Sequence, residues 1–357
     1  MSNPPLPPTT RRWRPALEAV ALPVGAVLVA LLLFGVFCAA QGADPLSVFK
    51  SIQRASFGSW YSFQNTLIRA APLILTALCT ALPARLGLIV IGNEGALVVG
   101  GLAATAAGLA AASAPPFVAL TIMVLAGMAG GGAWIGLVGL LHYQRGVNET
   151  ISGLLLNYVA VAVLSHLVNG PMRDPASLNK PSSYSFAETH QLGGIASSNV
   201  HYGLVFGVVF AVFAWVLMEH TTFGFKARMI GGNIRAARMA GLPVARLGIT
   251  TCLLGGAAAG LAGMVEVAAI HGRANESLAA GYGYAGILVA FVARFRGLPI
   301  ILVAVLLGGI LASGGILQRQ FKLPDATILV FQGIVFLCIL FSDSLYGRFA
   351  CFKEKTA

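Results

Sequence analysis

Residues 87–112 read GLIVIGNEGALVVGGLAATAAGLAAA, and this stretch decides the fold. A single charged residue, Glu94, interrupts a run of otherwise apolar or small side chains. A helix rises about 1.5 Å per residue, so ~20 such residues cross the hydrocarbon of a bilayer. The run is long enough to span. A carboxylate at that depth is costly without partners, which makes Glu94 the residue to follow. Its neighbours Asn93 and Gly95 point to irregular backbone, tolerated there only against protein or water.

The same texture runs through the whole chain. Of 357 residues, 57% are apolar and 10% are charged, and the mean hydropathy is +0.83. Soluble domains carry about 25% charged residues, and a chain this poor in charge would expose large apolar patches to water. Ten stretches approach membrane length: 19–41, 64–84, 87–112, 115–141, 151–169, 202–219, 248–270, 283–294, 297–317 and 326–343. The eighth is short and reads as a span that starts earlier or as a broken helix. The expected fold is therefore all-α, a polytopic transmembrane helix bundle of about ten spans. Pro72, Pro83 and Gly130-Gly131-Gly132 fall inside spans, where small residues let helices pack closely and neighbours satisfy freed carbonyls. The first stretch follows Arg11, Arg12 and Arg14 but exceeds the roughly 7–15 apolar residues of a signal peptide, so it reads as an uncleaved helix.

With the N-terminus inside and ten crossings, most of the 23 Lys and Arg residues face the cytoplasm. This gives a cytoplasmic tail at 1–18, a membrane domain at 19–345 and a second cytoplasmic tail at 346–357. The net charge of +11 is then a matter of topology and implies no nucleic-acid partner. Residues 170–201 read as an irregular outer cap, and 44–57 as an amphipathic helix on the outer surface. The cytoplasmic loop 220–247 contains a helix of about two turns, with Asn233 as N-cap, Gly241 as the stop and Pro243 beyond it. It presents Arg235 and Arg238.

No catalytic signature is present: there is no GxxxxGK[ST], HExxH or GxSxG. The five cysteines and six histidines form no metal-ligand spacing, so neither a metal nor a cofactor is expected. Glu94 reads as lining a pathway; the alternative is a structural carboxylate bonded to nearby backbone amides. Asn157, a polar amide within a span, serves either as helix–helix glue or as pathway lining. Glu149 reads as a first-turn carboxylate favoured by the helix dipole, with Thr150 and Ser152 as possible caps. Glu266 is expected to pair with Arg69 or Arg273. Tyr282 and Tyr284 suit either stacking on a passing ring or an interfacial belt.

Gly92-Asn93-Glu94-Gly95-Ala96-Leu97-Val98 and Gly283-Tyr284-Ala285-Gly286-Ile287-Leu288-Val289 hint at an inverted repeat, a common transporter plan. Seven blocks then appear in order: 44–59, 65–76, 91–95, 148–158, 222–238, 259–272 and 283–287. They include Ile91-Gly92-Asn93-Glu94-Gly95, Asn148-Glu149-Thr150-Ile151-Ser152-Gly153 and Thr222-Phe223-Gly224-Phe225-Lys226-Ala227-Arg228. From about residue 15 to 345 the chain resembles permeases of ATP-binding-cassette (ABC) importers in the nucleoside and simple-sugar branch. These are related to ribose and branched-chain amino-acid permeases. Ala96 and Ala285 depart from the family pattern.

The resemblance implies a bacterial inner-membrane permease working by alternating access. Its partners would be separate ABC ATPase subunits, a second permease chain, identical or related, and a periplasmic or lipoprotein substrate-binding protein. The cargo would be a small molecule. It implies a substrate pathway past Asn93, Glu94, Asn157 and Tyr284, and coupling to the ATPase through Gly231, Asn233, Arg235, Ala236 and Arg238. Two other readings compete. An ion-coupled secondary transporter would relay protons through Glu94 or Glu266, and an intramembrane enzyme would need a nucleophile or metal set that the sequence lacks.

Overall fold

A computed structural model describes residues 13–177, 180–195, 198–324 and 326–345. Residues 1–12 and 346–357, most of the two expected tails, lie outside the described residues, while 13–18 open the first helix. The helices are α1 (Trp13–Ala40), α2 (Pro45–Phe57), α3 (Trp60–Ala84), α4 (Asn93–Ala110), α5 (Pro116–Arg145), α6 (Glu149–Asn169) and α7 (Gly203–His220). They continue with α8 (Thr222–Gly232), α9 (Ile234–Met239), α10 (Val244–Val265), α11 (Tyr282–Val292), α12 (Gly297–Ala312), α13 (Gly314–Phe321) and α14 (Ala326–Leu345). A π-helical turn, Glu266–His271, extends α10. The fold is all-helical; among the described residues, extended pairing is limited to isolated bridges.

Among the described residues, six helices are long and apolar enough to cross a membrane: Trp60–Ala84, Pro116–Arg145, Glu149–Asn169, Gly203–His220, Val244–His271 and Gly297–Phe321. Val24–Ala40 and Pro45–Phe57 meet at 116°, and together they make a seventh if counted as one broken span. The other expected stretches hold shorter helices. The third expected span is shorter than the sequence suggested, because 88–92 are not helical and α4 begins only at Asn93. The eighth is a short α11 behind a left-handed Gly281.

The described residues form two compact units, one within 13–52 and 314–345 and one within 53–313. In the first, the buried Phe34 of α1 stacks on Phe331 of α14 at 4.3 Å and meets the edge of Phe49 at 6.0 Å. The amphipathic helix expected at 44–57 is α2, with Val48 buried and Leu46 exposed. Asp44 caps it, accepting from the amides of Leu46 and Ser47 at 3.3 and 3.1 Å. The Ser47 hydroxyl, which donates to Asp44 at 2.5 Å, and then these amides hold the Asp44 carboxyl below its ordinary range.

The second unit is built around α3 and α10. Their most apolar stretches are 78% and 72% buried, against 33% for α5, α6 and α7. Glycines bring α10 onto its neighbours backbone to backbone. A Cβ on Gly260 would strike the Gly127 carbonyl of α5, one on Gly131 the Gly256 carbonyl, and one on Gly263 the Leu97 carbonyl of α4. With no aqueous medium to drive apolar surfaces together, such close approach supplies the packing energy. Pro72 and Pro83 lie buried inside α3, where Thr76 Oγ1 donates to the Pro72 carbonyl at 2.8 Å. The loop 170–201 is irregular, as expected. Its Ser183, Phe186 and Leu192 amides donate to the carbonyls of Ala274, Gly272 and Ala268, each at 2.9 Å.

Gly260→Val should therefore exceed the ~1–3 kcal/mol typical of overpacking, since the obstacle is backbone that cannot rotate away. The expected readout is loss of a monodisperse peak on size exclusion or a lowered thermal midpoint. Gly232→Ala, with nothing within 4 Å of the new methyl, should match the parent chain.

Candidate functional site at two helix N-termini

An unwound segment organises the site. Residues 88–92 leave the ladder between α3 and α4, and side chains from other helices capture three consecutive carbonyls. Thr150 Oγ1 donates to Ile89 O at 2.6 Å, Thr80 Oγ1 to Val90 O at 3.2 Å, and Asn157 Nδ2 to Ile91 O at 2.7 Å. The first turn of α4 lacks a cap from Gly92, and Asn157 supplies one from α6 by accepting from the Gly95 amide at 2.8 Å. Donor and acceptor of one amide are thus both used, which an ionised carboxylate, an acceptor only, could not reproduce. Asn93 Nδ2 donates to Thr76 O at 2.9 Å and Thr80 Oγ1 at 2.8 Å, tying the start of α4 to α3.

Glu94 reaches across to a second helix start. Its two carboxylate oxygens accept from the amides of Gly281 and Gly283 at 2.7 and 2.6 Å. Gly283 must be glycine here, because its Cβ would collide with the Glu94 backbone. The carboxylate therefore lies in the first turn of α4 while capping α11, and both helix dipoles favour its negative charge. Glu94 is 2% exposed and Asn157 1%, whereas Tyr284 is 44% exposed and its hydroxyl lies 3.5 Å from Asn157 Nδ2. The structure thus brings Asn93, Glu94, Asn157 and Tyr284 together. It engages Glu94 with backbone amides, the alternative geometry named from sequence. Sequence reasoning missed Thr76 and Thr80 and gave Thr150 a capping role instead; the missed signal was a polar i, i+4 pair inside the apolar α3.

Elsewhere some expectations need correction. The cap of α6 is Asn148, which accepts from the Thr150 and Ile151 amides at 3.0 Å each; neither Thr150 nor Ser152 fills that role. Glu149 pairs with His142 at 2.9 Å. No direct ion pair joins the buried Glu266 to Arg69 or Arg273 among the described residues; His271 lies 3.7 Å away, and the Arg69 charge acts on Glu266 from farther off. Arg69 lies 3.4 Å from the Tyr282 hydroxyl, and Arg273 lies 3.3 Å from Ser182 Oγ.

The loop 220–247 holds the helix expected after Asn233 and also α8, which the sequence reading missed. Asn233 Oδ1 accepts from the Arg235 and Ala236 amides at 3.0 and 3.1 Å, and Gly241 is left-handed. Arg235, Ala236, Arg238 and Met239 are exposed, Met239 by 85%. Glu219 braces the segment by pairing with Arg85 at 2.8 Å and Arg228 at 3.0 Å. Gly231 lies against the Arg85 carbonyl, where a Cβ would not fit.

Residues 62–340 match the family described as the permease component of branched-chain amino acid transport systems. A glucose ABC transporter permease of Haloferax volcanii is 33% identical over 344 residues, spanning 93% of this chain and 90% of its own length. A guanosine ABC transporter permease of Bacillus subtilis is 28% identical, spanning 95% and 97%. A nucleoside ABC transporter permease of Lactococcus lactis is 26% identical, spanning 89% and 92%. The chain belongs to this permease family. It is a multi-pass ABC transporter permease, and that membership sets aside the ion-coupled reading.

In the permease, Glu94→Ala leaves the buried Gly283 amide without an acceptor, worth ~1–3 kcal/mol, and strips the part-buried Gly281 amide of its partner. The thermal midpoint should fall clearly. Glu94→Gln, which keeps one acceptor oxygen, should fall less. Equal midpoints for the two variants and the parent would remove the junction from the stability of the fold.

Proposed function

We propose that this permease takes up nucleosides or related simple sugars across a bacterial inner membrane, driven by ATP hydrolysis on separate subunits. The observation that carries the coupling half is α9. It is a short helix with a side-chain cap, and its exposed Arg235, Ala236, Arg238 and Met239 stand on a chain without a phosphate-binding loop. A rigid, exposed helix braced through Gly231 and Glu219 suits a surface that receives the push of an ATPase. Gly231, Asn233, Arg235, Ala236 and Arg238 form that surface in this reading.

The cargo class is supported by relatives named for glucose, guanosine and nucleosides over nearly their whole length. The pathway runs past the Glu94 junction. Tyr284 touches the passing ring, and Asn93, Glu94 and Asn157 hold its helix in place. The reading takes ten crossings with both termini in the cytoplasm: the long helices together with α1, α4, α11 and α14. α4 and α11 are the broken members of an inverted pair. Two permease chains, identical or related, enclose the pathway, and a periplasmic or lipoprotein binding protein delivers cargo to the outer face.

Charge reversal at Arg235 and Arg238 to Glu should weaken co-purification of the ATPase by ~10-fold or more, since opposed like charges cost several kcal/mol. The variant should still run as a folded membrane protein. Unchanged ATPase recovery would count against α9 as the coupling element. Reconstituted permease without its ATPase should move no nucleoside under an ion gradient alone.

A further inference from the structure

Where α5 ends and α10 begins, the surface folds into a recess of about 270 Å³. Tyr143 from the last turn of α5, Arg238 from α9, and Leu242 to Arg246 from the turn entering α10 line it. Two guanidinium groups meet there. Among the described residues, no carboxylate lies within ion-pair distance of Arg238 or Arg246; Glu219, the carboxylate paired with Arg85 and Arg228, is already engaged. The nearby acid, Glu149, is held by His142. The Tyr143 hydroxyl is buried and makes no hydrogen bond within the chain. The first turn of α10 also faces the recess and has no side-chain cap, so its amides and dipole add to the positive field.

The recess sits at a membrane boundary, because α5 and the α10 span both cross and both reach it with their ends. Deeper along the same two helices lie the exposed Leu137 and Leu140 of α5 and Leu253 of α10. Leu253 packs against Gly136, the neighbour of Leu137, so apolar side chains of both helices lie on the membrane side of the recess. A ligand that fits has an anionic phosphate above and hydrocarbon below. We propose that this recess binds the phosphate of an anionic phospholipid, with Arg238, Arg246 and the Tyr143 hydroxyl as donors. A soluble phosphate shares the upper chemistry but leaves those apolar side chains uncovered. The assignment needs only that the chain spans a membrane, and Arg246 is outside the set assigned to ATPase coupling.

The test uses purified full-length permease in nanodiscs of phosphatidylcholine alone or with added phosphatidylglycerol. Retained lipid is counted by native mass spectrometry and the thermal midpoint is measured. Phosphatidylglycerol should be held selectively and raise the midpoint. Arg238→Gln and Arg246→Gln should each cut retention about fivefold, the worth of ~1 kcal/mol per basic residue at an anionic surface. Tyr143→Phe should cut it less, Arg246→Lys should restore part of it, and Arg235→Gln, outside the recess, should leave it intact. Should the arginine variants fail to fold, retention by the parent protein should still drop as salt rises.

Retention indifferent to both Arg246→Gln and salt overturns the proposal. So does inorganic phosphate stabilising the detergent-solubilised protein as strongly as phosphatidylglycerol, which would make the site one for a soluble anion. Loss of ATPase recovery in Arg246→Gln with lipid retention intact also overturns it and assigns the recess to a protein carboxylate. ATPase recovery from Arg235→Glu reports on the coupling reading alone.

Discussion

Backbone that leaves a helix inside a membrane protein must find a partner for every polar group it releases, because lipid offers none. Residues 88–92 meet that demand with three carbonyls bound by Thr150, Thr80 and Asn157. Those donors come from α3 and α6, so the segment fixes where both helices stand. It also fixes where α4 starts, and hence where Glu94 is carried. The capping of α11 follows from that position. A hydrogen-bond requirement in five residues thus sets the arrangement of four helices.

The fold class and four polar site residues were legible because each broke a regular pattern. A carboxylate, two carboxamides and an aromatic hydroxyl stand out in apolar runs, and lipid-facing chains rarely carry them without cause. Thr76 and Thr80, which help complete the junction, did not stand out, since threonine often bonds back to its own helix, as Thr76 does to Pro72. The cap of α6 was misread by two to four residues for a similar reason. Asn148, Thr150 and Ser152 are all competent caps, and only the direction of the incoming chain selects Asn148. α8 escaped notice because Gly224, Gly231 and Gly232 lower its helix propensity, while packing against Arg85 and Met218 demands the first two. Tertiary contact outweighed local preference there.

The junction and the exposed α9 are built by opposite means. At Glu94 both carboxylate oxygens are buried and paired, so the geometry is specified sharply. At α9 the capping bonds are internal to the helix; Ala237 is buried beneath it, while Arg235, Ala236 and Met239 face outward. One arrangement holds a shape; the other presents one.

The glycine contacts of α10 have a mechanical meaning. Where Gly260 meets Gly127 and Gly263 meets Leu97, there are no side chains to change rotamer and absorb a displacement. Helices joined in this way cannot slide past one another without first separating. α4, α5 and α10 are therefore confined to moving as one stiff body. α10 begins five residues beyond the end of α9, and α4 starts at the Glu94 junction. A force applied at the surface loop is delivered to the buried carboxylate with little lost to bending on the way.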